Sequence, residues 1–194
     1  MTDSRCPLFL AITTVVLTLA ILAFGQSRPT VPGHDLQSVA GLRDPNAMNE
    51  EWQTPLMAAA FDADEKAVKE LIDRKANVNA ACRFGMTPLM YARGLPVVKL
   101  LLSAGASVKD KDLTGRTALH FATQQADPDV VRTLIRAGAN VTAKDDKGMS
   151  ALELAKLQLQ SEHLSDKSLS DAYKNRVQNI IDLLIGSGAS ADRP

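Results

Sequence analysis

Residues 115–140, GRTALHFATQQADPDVVRTLIRAGAN, determine the fold of this chain. Small and apolar side chains over residues 117–123 predict a short helix. Asp127 and Pro128 then form an N-cap followed by a proline at the first helical position, so we predict a second helix ending at Arg136. Gly138 supplies the left-handed residue that ends it. Such a short pair cannot bury its apolar face alone, which predicts a repeated unit.

The unit occurs four times. The openings TPLM, TPLM, TALH and SALE begin at residues 54, 87, 117 and 150, which are 33, 30 and 33 residues apart. The closings are KANVN at 75–79, GASV at 105–108, GANV at 138–141 and GAS at 188–190. In these motifs the chain resembles the ankyrin-repeat family, whose unit of about 33 residues contains a turn and two antiparallel helices.

The resemblance covers residues 49–192 and implies an all-α solenoid of stacked helix-turn-helix units joined by short hairpin turns. The four predicted repeats span residues 50–81, 82–111, 112–144 and 145–192. A domain of residues 49–194 follows from them.

Three departures from the family pattern predict local differences. Lys75 occupies the position of the closing glycine in repeat one. Repeat two is three residues short between Tyr91 and Val97, which predicts a first helix shortened by about one turn. Repeat four has 17 more residues between its opening and its closing glycine than repeat three. We therefore expect an extended last repeat, with one helix reaching about Leu164 and a second starting near Ser168.

The first 25 residues have the pattern of a secretory signal peptide. Arg5 precedes a 17-residue run over 8–24 whose only polar residues are threonines, and Ala23 and Gly25 are small residues at the −3 and −1 positions of a cleavage site. We expect cleavage before Gln26, export to the periplasm or the exterior, and a linker over 26–48. The alternative is a membrane anchor formed by residues 8–24, since the run is just long enough to span a bilayer.

Composition and motifs exclude several classes of function. The 22 basic and 22 acidic residues cancel, and no Lys/Arg cluster indicates a nucleic-acid partner. The sequence contains no phosphate-binding loop, zinc-protease motif or nucleophile elbow. We therefore predict no catalytic residue, cofactor or metal, and a monomer that is not an enzyme.

Two residues leave a chemical alternative open. The resemblance implies that His120 is structural, with the Thr and His side chains of the opening bonded across neighbouring turns; the alternative is a ligand or base. Cys82 lies where the family usually has aspartate in the turn. An exposed Cys82 could serve a redox or cross-linking role, whereas a small turn residue is the simpler interpretation. A redox-active or enzymatic accessory protein is thus the alternative function.

The resemblance further implies that a partner protein binds the concave face and the hairpin tips. Large apolar residues at the tips, with Trp52 nearby, indicate either a binding patch or packing between hairpins. We predict an exported adaptor, protector or inhibitor, or a membrane-anchored scaffold if the leader is retained. The predicted contacts are Phe61, Asp62, Arg83, Phe84, Met86, Leu113, Arg116, Gln124, Gln125, Lys147 and Met149.

Overall fold

The computed structural model describes residues 44–50, 52–161 and 171–188, so the predicted leader and most of the linker lie outside it. The described residues form eight helices in four pairs, and their only extended pairing is an isolated bridge between Lys144 and Ser150. The all-α repeat fold is therefore confirmed. The helices are α1 (Pro55–Phe61), α2 (Glu65–Asp73), α3 (Pro88–Tyr91), α4 (Leu95–Ser103), α5 (Ala118–Gln124), α6 (Pro128–Arg136), α7 (Ala151–Ser161) and α8 (Asp171–Gly186).

The helices begin at the caps that the sequence predicts. The Asp127 carboxylate accepts hydrogen bonds from the backbone N–H groups of Asp129 and Val130 at the start of α6. The Asp64 carboxylate caps α2 in the same way, through the N–H of Ala67 at 2.9 Å. Each cap satisfies donors that have no partner within the helix. The predicted end of α6 at Arg136 is also confirmed.

The four pairs stack in register. The odd-numbered helices, which we call the inner helices, pack against one another in chain order, and the even-numbered outer helices do the same. The leucine of each opening motif is buried between the inner helices. Burial of one such side chain stabilises the fold by about 1.5–3 kcal/mol, so the repeats depend on their neighbours for most of their stability. These leucines are Leu56, Leu89, Leu119 and Leu152.

Repeat two has the shortened inner helix that its length predicts. Helix α3 has four residues, whereas α1 and α5 have seven each. Gly94 then enters α4 with φ of +77°, a conformation that glycine adopts without steric cost. The missing turn interrupts the row of inner helices at one place.

Repeat four is the predicted extended hairpin. Helices α7 and α8 have 11 and 16 residues, and α8 packs against both α7 and α6. The Ser150 and Glu153 side chains each bond the backbone N–H of the other residue, which is a capping box. The predicted helix ends at Leu164 and Ser168 lie outside the described residues, as does the apolar run 8–24. No helix in the described ranges has the length and apolar character needed to cross a membrane.

The closing turn of repeat one keeps a lysine in a glycine conformation. Lys75 has φ of +65°, whereas the equivalent residues Gly105 and Gly138 have φ of +88° and +89°. A side chain with a Cβ in this left-handed region costs about 1–2 kcal/mol.

We predict that Lys75→Gly raises the free energy of unfolding by about 1 kcal/mol. The substitution removes the strain at φ of +65°, and this gain exceeds the extra backbone entropy that glycine loses on folding. The change is measured by urea denaturation. Ala137→Gly is the matched control, since Ala137 precedes Gly138 with an ordinary φ of −78°, and it should destabilise the protein. A destabilised Lys75→Gly protein would contradict the assignment of strain.

Candidate functional site

Three hairpin tips, residues 82–86, 112–116 and 145–149, share one turn geometry. In the first, the N–H of Gly85 donates to the carbonyl of Cys82 at 2.8 Å, and Gly115 and Gly148 make the equivalent bonds at 3.0 and 2.9 Å. All three glycines have φ between +75° and +77°. The tips are therefore copies of one another, held in place by their own backbone hydrogen bonds.

Neighbouring tips are joined directly through the backbone. The N–H of Leu113 donates to the carbonyl of Phe84 at 2.9 Å, and the N–H of Asp146 donates to the carbonyl of Thr114 at 3.0 Å. A Cβ on Gly85 would lie 3.1 Å from the Leu113 nitrogen. Because only glycine permits this approach, the tips form a rigid row whose side chains can vary.

An aspartate organises the second tip. Asp112 accepts hydrogen bonds from the N–H groups of Thr114 and Arg116, and its other oxygen binds the Arg116 guanidinium at 2.9 and 3.0 Å. The same guanidinium lies 4.5 Å from the centre of the Phe121 ring. The Arg116 side chain is only 15% exposed. It thus holds the turn together, and little of it remains available to a partner.

Cys82 replaces this aspartate in the first tip. Its Sγ accepts a hydrogen bond from the N–H of Phe84 at 3.4 Å and lies 3.6 Å from the Tyr91 hydroxyl. The residue is 4% exposed. The hypothesis of an exposed redox or cross-linking thiol is therefore wrong, because the thiol is used inside the turn.

His120 links repeats three and four. Its Nδ1 accepts a hydrogen bond from the backbone N–H of Thr117 at 3.1 Å, and the Thr117 hydroxyl lies 2.9 Å from the same nitrogen. Nδ1 is therefore the unprotonated nitrogen, and Nε2 donates to the carbonyl of Met149 at 3.2 Å in the next tip. The structural role of His120 is confirmed, and the fully buried ring is withdrawn from any ligand.

Burial also keeps this ring neutral. Desolvation lowers the pKa of His120 below its ordinary value, and this effect outweighs the Met149 carbonyl and the Asp145 charge, which both raise the pKa. Protonation would place a second donor against the N–H of Thr117. The unfolded chain therefore binds a proton at His120 at higher pH than the folded chain does, so acid favours unfolding.

We predict that the free energy of unfolding falls as pH drops below about 6.5, and that His120→Met removes part of this dependence. At pH 7.5 the variant should lose about 2 kcal/mol through its missing hydrogen bonds. Repeat two already has this arrangement, because Met90 occupies the position equivalent to His120. There the Thr87 hydroxyl is buried without a hydrogen-bond partner among the described residues. Denaturation at pH 7.5 and 5.5 measures both effects. Equal pH slopes in the two proteins would contradict the prediction.

The predicted contacts divide by exposure. Leu113 is 72% exposed at the second tip, and Trp52 is 59% exposed at the start of repeat one. Met86 is only 6% exposed and packs in the core, so of the two alternatives for the apolar tip residues, packing holds for Met86. Of the others, Asp62, Arg83, Gln125 and Lys147 are exposed, whereas Phe61, Phe84, Gln124 and Met149 are half-buried.

Arginines cover both half-buried phenylalanines. The Arg93 guanidinium lies 3.8 Å from the centre of the Phe61 ring, and that of Arg83 lies 5.1 Å from the centre of the Phe84 ring. The prediction from sequence missed Arg93. The sequence signal for it is its position between Tyr91 and Val97, the segment where repeat two is three residues shorter than repeat three.

Trp52 was missed as a strained residue. It has φ of +60°, and its N–H donates to the carbonyl of Asn49 at 2.9 Å, as the glycines of the later tips do. A bulky residue in this conformation is unusual and costs about 1–2 kcal/mol. The turn before α1, residues 49–53, therefore keeps an exposed aromatic ring at a position where glycine is the favoured residue.

The described residues contain no cluster of three or more His, Cys, Asp or Glu side chains able to hold a metal ion. His120 and Cys82 are each used in structural hydrogen bonds. What the described fold offers instead is a rigid row of tips beside a row of inner helices. This arrangement defines a class of protein-binding scaffolds.

Comparison with known proteins identifies the family. A family model described as ankyrin repeats (3 copies) matches residues 32–112 and 93–193, which together exceed half of the chain. The chain belongs to the ankyrin-repeat family. Ankyrin repeats are protein–protein interaction modules, and the family is generally non-catalytic.

Several curated proteins are similar over a short stretch. The chain is 36% identical over 91 residues to tyrosine-protein kinase Shark of Drosophila melanogaster, and this stretch covers 45% of this chain and 10% of that protein. It is 40% identical over 73 residues to inversin of Danio rerio, a stretch that covers 36% of this chain and 7% of inversin. It is 31% identical over 85 residues to BRCA1-associated RING domain protein 1 of Caenorhabditis elegans, covering 42% and 12%. The chain therefore spans only a small fraction of these relatives.

Proposed function

We propose that this protein is an exported, non-catalytic adaptor that holds one partner protein against its hairpin tips and inner helices. The observation that carries the proposal is the geometry of Leu113. Its backbone N–H is bonded to the preceding tip, while its side chain is 72% exposed. Burial of this large apolar side chain against another protein is favourable. Binding costs little conformational entropy at this position, because the backbone is already held by its hydrogen bond.

The neighbouring side chains have the composition of a binding surface. Arg83 and Lys147 are exposed cations on the two tips that flank the tip of Leu113, and Trp52 adds an exposed ring in the turn before α1. Aromatic and arginine side chains contribute strongly to protein–protein affinity. The outer helices α2, α4 and α6 expose no large apolar side chain, and exposed positions such as Lys99 on α4 are charged. The partner therefore meets the tip side of the molecule.

A photo-cross-linking amino acid placed at position 113 of the full chain tests the surface. We expect a covalent adduct with a host protein when cells producing the variant are irradiated, because Leu113 lies in the contact. The control carries the same amino acid at position 99 on outer helix α4 and should give no adduct. Adducts of equal yield at both positions, or none at 113, would contradict the proposal.

Export rests on the leader pattern of residues 1–25, and the mass of the mature protein tests it. If the signal is removed before Gln26, the N-terminal peptide of purified mature protein begins at Gln26. An intact N-terminus on protein in the membrane fraction would support the anchored scaffold instead. An intact N-terminus on protein in the cytoplasmic fraction would exclude both.

A further inference from the structure

The deletion in repeat two opens a notch in the row of inner helices. Helix α3 ends at Tyr91, whereas α1 and α5 each continue for another turn on either side of it. Residues from both neighbours meet at this place: the N–H of Arg93 donates to the carbonyl of Ala60 at 3.0 Å, and the Gln125 amide donates to the carbonyl of Ala92 at 3.3 Å. We call this place the α3 notch.

The α3 notch holds a guanidinium in a fixed orientation. The Arg93 backbone is tied to α1, and its guanidinium stacks 3.8 Å from the centre of the Phe61 ring. Stacking uses the face of the planar cation and leaves its N–H groups directed sideways. Arg93 is also exposed, so those donors can be reached from solvent.

No carboxylate within the described residues forms an ion pair with this cation. The ion pairs found there join Arg74 to Glu70, Arg116 to Asp112 and Arg132 to Asp129, and none involves Arg93. Burial of part of the group lowers the pKa of Arg93, and the charge of Asp62 opposes the shift. Arginine nevertheless remains charged at neutral pH. A partly desolvated cation without an ion-pair partner gains strongly from an incoming anion.

We propose that the α3 notch binds the carboxylate of a single Asp or Glu side chain in an extended segment of the partner. Two parallel N–H donors of Arg93 match the two oxygens of a carboxylate. Asp62 directly follows Phe61, whose ring the Arg93 guanidinium covers, so an incoming anion meets its negative charge, and the repulsion is smaller for a singly charged carboxylate than for a phosphate dianion. The inference rests on the proposed function, because it names the chemistry by which the same partner is recognised.

The inner-helix row supplies a second contact beyond the notch. Leu157 on α7 is 49% exposed and occupies the repeat position that Phe61 and Gln124 occupy in repeats one and three. Helix α7 is the second inner helix after α3, and each step between neighbouring helices is about 8–10 Å. An extended chain covers these two steps in roughly five or six residues. A partner segment therefore carries its acidic residue about that far from an apolar one.

Selection of a random peptide library displayed on phage, with the full chain as bait, tests the proposal. We expect Asp or Glu to be enriched at one position of the peptides that bind. Arg93→Gln should weaken a selected peptide about tenfold or more, as expected for the loss of a hydrogen-bonded charge. Arg132→Gln is the matched control, since Arg132 is paired with Asp129 on an outer helix, and it should leave binding unchanged.

A double-mutant cycle makes the assignment independent of folding defects. The Glu→Gln form of the selected peptide should bind the unaltered protein about tenfold more weakly, and combining it with Arg93→Gln should add no further loss. Additive losses would overturn the proposal, as would tighter binding of a phosphoserine form of the peptide. A selection that yields no binder, or binders without an acidic position, would overturn it too. The adduct at position 113 tests the proposed function separately, so the two can fail independently.

Discussion

The backbone hydrogen bonds between neighbouring hairpin tips set the spacing on which the rest of the fold depends. Leu113 bonds to Phe84 and Asp146 bonds to Thr114, each at about 3 Å, because Gly85 and Gly115 let one tip approach the next. With the tips at this distance, the inner helices pack against one another and the leucines of the opening motifs are buried. The fixed backbone then leaves most tip side chains free to vary, which is what a binding surface requires.

Local features of the fold could be predicted from sequence because each depends on residues close together in the chain. The cap at Asp127, the end of α6 and the shortened α3 follow from short motifs and from repeat length. The bond from His120 to Met149 spans repeats, and the resemblance supplied it, because the family repeats the same contact.

Contacts peculiar to this chain could not be predicted in the same way. Met86 and Leu113 are both apolar tip residues, yet one is buried and the other exposed, since the two occupy different positions of the turn. The stacking of Arg93 on Phe61 joins residues of two repeats across a deletion. No short sequence motif predicts the burial of Met86, the exposure of Leu113 or the stacking of Arg93 on Phe61. The strained Trp52 and the Arg93–Phe61 stack both lie on the proposed contact surface, where stability is commonly given up for function.

The burial of Cys82 couples the oxidation state of the protein to its folding. While repeat two is closed, the thiol stays inside its turn, bonded to the N–H of Phe84, and reagents in solution do not reach it. Each repeat contacts only its neighbours, and repeat two lies inside the stack between repeats one and three, so Cys82 is reached only when the stack opens. In an oxidising compartment, intact molecules therefore form no mixed disulfide through this residue, and only molecules whose stack has opened can form one, with a second thiol and an oxidant of that compartment.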